Sequence, residues 1–306
     1  MATPHPRGPA SDPLADFGIE VDADEMPDDI ADLVADVDDP AAGFFGPGSV
    51  MWRVNRENAL FLVGVSSVLL QVGHPMVSAA GIEHSDFDED LMGRFERTFD
   101  IVDTIVFGDV ETAVEAAMIV RRMHESVVGE LPGDAGRFEA GDGYYAERPD
   151  LMLWVHATLI DQSLVGYETY VDDLTDAERE RYYEQSQIFG RLMGVPAEAY
   201  PETLADFYDY YERAIETDLA IGEAGEDVVE TLFDQLGPLA PVARVLGAGS
   251  MPAGAREEFE QFGLTMTPTR KRLFGVFTRA IRAVPLWALP DSVRYREKFR
   301  LFGRHE

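Results

Sequence analysis

The stretch AAMIVRRMHESVVGE, residues 116–130, places a histidine on what is otherwise an apolar helix face. Small and apolar residues recur there at intervals of three and four, so Ala113, Ala117, Val120 and Val127 form one stripe. His124 falls on that stripe, and Arg121 lies one turn before it. A second stretch, GRFERTFDIVDTIVFG over residues 93–108, sets Arg94, Arg97 and Thr98 at i, i+3 and i+4, on a face shared with Ile101, Val102 and Ile105. Two helices thus each carry guanidinium groups beside apolar surface. A guanidinium taken out of water needs an anion. Internal carboxylates would serve. So would an anionic, mostly apolar ligand such as a haem, whose ring takes small apolar neighbours, whose iron takes an imidazole and whose propionates take arginines. The spacing leaves both readings open.

Other chemistries lack their residues. The chain has no cysteine, which removes disulfides, thiolate catalysis and cysteine-held zinc or iron–sulfur centres. It has no GxxxxGK[ST], GxSxG or HExxH motif, and no Glu-x-x-His pair of the kind a di-iron bundle uses. The GDGYYA stretch at residues 141–146 resembles a dinucleotide fingerprint, but no strand-helix-strand unit surrounds it. Of the remaining internal histidines, His74 precedes Pro75 where a helix cap is expected. His156 lies on a strongly apolar helix, where bonding a carbonyl across the bundle is the plain expectation, and His84 follows Glu83 near a helix end.

These residues must be held by helices. After an acidic arm over residues 1–42, expected to be mostly disordered apart from a short helix near 27–37, the periodicity predicts a helix from about 51 to 73 with Ser49 as its cap. Further helices are expected at about 76–83, 88–106, 110–130, 150–172, 175–194, 202–220, 225–247, 253–263, 267–283 and 290–301. Asp109, Asp150, Thr175 and Pro201 mark starts. No window alternates as a strand would, so the expectation is an all-α fold, one helical bundle over residues 43–306.

Composition sets the surroundings. There are 57 acidic and 25 basic residues, a net charge of −32, which argues against a nucleic-acid partner. Only Lys271 and Lys298 are lysines. Acid-rich, lysine-poor surfaces suit molar salt, and the chain is expected to be salt-adapted and cytoplasmic, since its beginning lacks the apolar core of a signal peptide. The longest apolar run, ALFLVGVSSVLLQVG, is shorter than a bilayer span and reads as a buried helix. Residues 267–304 hold ten of the 25 cations. These either pair with acidic faces of the same molecule or give a peripheral membrane contact.

Five segments in order, FGPGSVMWRVNRE, LLQVGHPMVSAAGIEHSDF, RFERTFDIVDTIVFG, VRRMHESVVG and LMLWVHATLIDQSLVGYETYV, together resemble the MpaB-type oxygenases, which share a catalytic domain with the rubber oxygenases or latex-clearing proteins. The resemblance covers residues 44–304, ending in LPDSVRYREKFRLFG. It implies a distantly globin-like helical domain with haem b, and cleavage of an isoprenoid carbon–carbon double bond by dioxygen. Carried onto this chain, His124 matches the proximal iron ligand and Arg121 the arginine of an Arg-x-x-His pattern. Arg94 and Thr98 match an Arg-x-x-x-Thr element. Arg97 stands where some latex-clearing proteins carry a lysine that can ligate the distal iron. A guanidinium has no lone pair to donate, so Arg97 is expected to donate a hydrogen bond to developing negative charge instead. No motif places the family's proposed catalytic glutamate; Glu83 is the residue considered. The resulting expectation is a haem b-dependent oxygenase with dioxygen and an apolar small molecule as substrates. Arg97 and Thr98 would act catalytically, with Arg94, Arg121 and His124 on the cofactor. The rivals are a non-enzymatic haem protein and a helical protein without cofactor.

Overall fold

A computed structural model describes residues 26–84, 91–285 and 288–302. The all-α expectation holds. In chain order the helices begin with α1 (Asp28–Ala35), α2 (Val50–Asn55), α3 (Gly64–Val72), α4 (Pro75–Glu83), α5 (Leu91–Phe107) and α6 (Val110–Glu125). A short hairpin of β1 (Val128–Glu130) and β2 (Gly143–Tyr145) intervenes, antiparallel with Gly129 opposite Tyr144. Then come α7 (Pro149–Tyr170), α8 (Asp176–Leu192), α9 (Leu204–Asp218), α10 (Glu223–Leu236) and α11 (Ala240–Ser250). The chain closes with α12 (Ala253–Arg256), α13 (Pro268–Arg282), α14 (Asp291–Arg294) and α15 (Glu297–Phe302).

The caps expected at Ser49, Asp109 and Thr175 form, while α9 is capped by Thr203, two residues after the expected start at Pro201. Ser49 accepts from the Trp52 amide at 3.0 Å, Asp109 from Thr112 at 2.9 Å, and Thr175 makes a reciprocal capping box with Glu178. α7 is buried on nearly every side, as a helix apolar all round must be, and α3, α8 and α9 pack on it. Trp52, Trp154, Tyr182, Tyr183, Phe207 and Tyr211 fill the main core.

Four differences from the sequence expectation have physical causes. The helix expected over 51–73 breaks after Asn55, because Glu57 turns extended, bridges Tyr295 and sends its buried carboxylate to Arg294 at 2.9 Å. Residues Asn58–Val63 resume as 3-10 helix. The helix expected to reach 130 ends at Glu125, and the next residues pair as β1 with a strand the alternation test missed; three-residue strands are too short to show a period. The helix expected over 225–247 is interrupted at Gly237, whose φ of 48° is left-handed, followed by Pro238. The helix expected over 290–301 opens at Tyr295, the residue that bridges Glu57.

Of the expected acidic arm, residues 1–25 lie outside the described residues. From residue 26 on it is structured: α1 buries Ile30 and Leu33 and packs against α8. Cations near the end of the sequence pair internally at three points, Arg282 with Asp173, Arg294 with Glu57, and the buried Arg296 with the buried Asp103 at 3.0 Å. No single helix among the described residues is long and apolar enough to cross a membrane, and the apolar run around residues 58–72 is packed in the core.

Candidate functional site

α5 and α6 pack as an antiparallel hairpin about Gly108 and Asp109. The turn requires glycine, because a Cβ at Gly108 would lie 2.6 Å from the Thr104 carbonyl oxygen. Arg94 and His124 are each fifteen residues from Asp109, one on each arm, so the hairpin sets them at the same level. Arg97 and Thr98 follow one turn nearer the loop and are exposed, each with an interaction of its own. The Arg94 side chain lies outside the described residues.

His124 occupies the last turn of α6, half-buried, below the wall of Ala113, Ala117 and Val120. Its Nδ1 is fully buried and has no hydrogen-bond partner among the described residues. Burial holds its pKa below the usual histidine value, so at neutral pH the ring is uncharged and keeps a lone pair. A buried ring nitrogen without a partner is costly in a protein interior unless something else satisfies the ring. A neutral imidazole backed by small apolar residues is the donor that haem iron takes.

Arg121 is already engaged. Its Nε donates to the Leu192 carbonyl at 2.8 Å, and Nη1 and Nη2 meet both carboxylate oxygens of Asp29 at 3.1 and 2.6 Å. Burial raises the Asp29 pKa, and the Arg121 hydrogen bonds and charge outweigh this and hold it below the ordinary value. Arg121 therefore ties α1 and the end of α8 to α6. For this residue the internal-carboxylate reading describes the contacts in the structure, and contact with a haem propionate would require it to exchange partners.

The other histidines have partners. His74 caps α4, its Nδ1 accepting from the Met76 amide at 3.3 Å, and burial lowers its pKa to about 4. His156 does not bond a carbonyl, as expected from its helix; its Nδ1 meets the Tyr200 hydroxyl at 2.6 Å, and burial lowers its pKa to about 3. Gly190 makes room for this pair, since a Cβ there would overlap both the Tyr200 oxygen and the His156 Nδ1. His84 contacts the Val128 carbonyl at 3.0 Å, while Glu83 accepts the hydroxyl of the buried Tyr144, whose pKa is pushed up by burial and by that carboxylate.

Besides Glu57, sequence reasoning missed two buried carboxyls. Asp103 lies on the apolar face of α5 and pairs with Arg296; burial raises its pKa to about 6 despite that cation. Asp161 in the middle of α7 accepts from Gln162 at 2.8 Å and is likewise raised to about 6 by burial. An acid inside an apolar periodic run was the available signal for both. Among the described residues no group of three or more His, Asp or Glu side chains could hold a metal ion.

Comparison with curated proteins and with solved structures gives no match. Comparison with protein families does: the description "ER-bound oxygenase mpaB/B'/Rubber oxygenase, catalytic domain" fits residues 52–283, which include the whole α5–α6 hairpin and the core around α7. The match spans well over half the chain, which therefore belongs to the mpaB and rubber oxygenase catalytic-domain family and is an enzyme of the oxygenase class.

Proposed function

We propose that this oxygenase uses haem b held by His124, and that it oxidises an apolar, isoprenoid-type alkene with dioxygen. The observation that carries the reading is the neutral, desolvated imidazole of His124, whose buried Nδ1 lacks a partner among the described residues, on a helix paired with the one bearing Arg94, Arg97 and Thr98. Haem bound there would supply the redox chemistry that activates dioxygen.

The chain's own residues would do the rest. His124 offers a lone pair because burial keeps it unprotonated. Ala113, Ala117 and Val120 are buried along the same face of α6 and keep water from it. Arg94, level with His124, is the remaining partner for a propionate, because Arg121 is committed to Asp29. Arg97, with Thr98 beside it, would offer N–H and O–H hydrogen-bond donors on the α5 side of the site. The acid-rich, lysine-poor composition supports a salt-adapted, cytoplasmic setting for this chemistry.

The test is an absorption spectrum of the purified chain supplied with haem, followed by oxygen uptake of the reduced protein with a long isoprenoid alkene. Stoichiometric haem binding, oxygen consumption and carbonyl-terminated fragments are expected. Haem binding without alkene-dependent oxygen uptake would leave a ligand-binding haem protein, and no haem binding would remove the cofactor assignment altogether.

A further inference from the structure

Residues 261–290 contain five cations and not one of the chain's 57 acidic residues. α13 forms the body of this stretch and buries no residue fully. Its inner face rests on the protein through Phe274, against Gly249, and Phe277, edge-on to Tyr170 at 6.4 Å. The outer face is the unusual one. Leu273 is 56% exposed, Val276 60% and Val284, just past the helix end, 40%. At 100° per residue, Leu273, Ala280 and Val284 share one line, Val276 and Ala283 lie beside it, and Arg272 and Arg279 border it. An ordinary surface helix on so acidic a protein would carry its charges on this face and its apolar residues beneath.

The cations around the stripe divide into two groups. Arg270 donates to the Thr265 carbonyl, and Arg282 pairs with Asp173 at 3.0 Å. Lys271, Arg272 and Arg279 are exposed and make no ion pair or hydrogen bond among the described residues. Two of these unspent cations, Arg272 and Arg279, border the outward apolar stripe, and together with it they complement an anionic surface that also accepts hydrocarbon; Lys271 lies farther round the helix. The acidic body opposes approach only at long range, since charges are screened beyond about 8 Å at physiological salt and about 3 Å at molar salt. A helix lying flat on a surface makes its contacts within that distance.

We propose that the outer face of α13 docks the protein on an anionic lipid surface, with Leu273, Val276 and Val284 entering the headgroup boundary and Arg272 and Arg279 meeting lipid phosphates. This placement is independent of the haem assignment. It gives the two parts of the contact different salt dependence: the cationic part weakens as salt rises, and the apolar part persists.

Co-sedimentation of the full chain with phosphatidylcholine vesicles, and with vesicles containing phosphatidylglycerol, tests it across a salt series in which the circular-dichroism spectrum is constant. The wild type is expected to sediment with the anionic vesicles only. Arg272→Glu/Arg279→Glu should weaken binding about tenfold or more at low salt, and less at high salt. Leu273→Glu/Val276→Glu should weaken it throughout the series. All the substituted side chains are exposed, so the fold should persist, and an unchanged melting temperature checks that. The proposal is overturned if the wild type stays in the supernatant with both vesicle types, or if either variant sediments like the wild type. It is equally overturned if the protein dimerises through this face instead, with a doubled mass that Leu273→Glu/Val276→Glu abolishes and no vesicle binding.

Discussion

His124 and His156 are both imidazoles on apolar stretches of helix, both desolvated and both held neutral by burial. Their surroundings differ in one respect. Around His156 the chain has been shaped to complete a hydrogen bond: Tyr200 supplies the hydroxyl, and Gly190 on α8 gives up its side chain so that the bond fits. Around His124 the described residues make no such provision. Its Nδ1 is buried without a partner among them, while the neighbouring Arg121 spends its donors on Asp29 and two backbone carbonyls. A histidine that serves packing is satisfied from within the chain. One that serves a ligand keeps bonding capacity in reserve.

The sharpest way to break this contrast is to remove each ring in turn. His124→Ala is expected to abolish haem uptake while leaving the melting temperature of the haem-free chain nearly unchanged. His156→Ala is expected to do the reverse, preserving the haem spectrum and losing about 1–3 kcal/mol of stability as the Tyr200 hydroxyl is orphaned. Titration with haem and urea unfolding of both variants measure the two effects. Full haem occupancy in His124→Ala would end the comparison.

A second test asks whether buried charges follow the same rule of internal satisfaction. Arg296 stacks over Phe61 and Phe99 at 4.5 and 4.9 Å from its guanidinium carbon and pairs with Asp103. Arg296→Leu strands a buried carboxylate and should cost about 3–5 kcal/mol, whereas Arg296→Leu/Asp103→Leu should recover most of that loss. Equal stability of the two variants in urea would show that the pair is not coupled as its geometry indicates.

The smallest effect is a pH dependence at Asp161. Its pKa in the folded state, about 6, stands above the ordinary 3.8, so the folded protein prefers the protonated acid. Below about pH 4 the acid is neutral whether the chain is folded or not. As pH rises through 6 the folded state must hold a buried charge, and that stability is lost. Asp161→Asn should therefore match the wild type near pH 4 and exceed it by roughly 2–3 kcal/mol above pH 7. His74 and His156 have depressed pKa values and work in the opposite direction, but equally in both proteins, so the difference isolates Asp161. A constant difference across the range would refute the assignment.

The sequence made visible what depends on neighbours within a few turns. Ser49, Asp109 and Thr175 announced their helices because a cap acts on amides two or three residues ahead. His124 announced itself because a polar ring on an apolar stripe is a local anomaly. The break at Glu57 was hidden because its cause, Arg294, lies 237 residues away. For the same reason Arg121 was legible as a buried cation in need of an anion, while Asp29, 92 residues earlier in an arm expected to be mostly disordered, was not. The His156 partner was missed because a tyrosine in the loop before α9 carries no local sign of facing α7.

The Glu57–Arg294 and Asp103–Arg296 pairs also bear on how the chain reaches its native state. They join positions 237 and 193 residues apart, so each closes a loop that spans most of the chain. Closing such loops first is entropically unfavourable, and their contacts therefore form after the nearer ones. During synthesis Glu57 and Asp103 must wait for residues 291–296, which leave the ribosome only after α1 to α13 have been made. Until then two carboxylates that end up buried have no cation, and the groove between α2 and α5 stays open to water. Docking of α14 and α15 is in this sense the step that dries the interior, and slow folding or early protease cutting should be most sensitive to changes there.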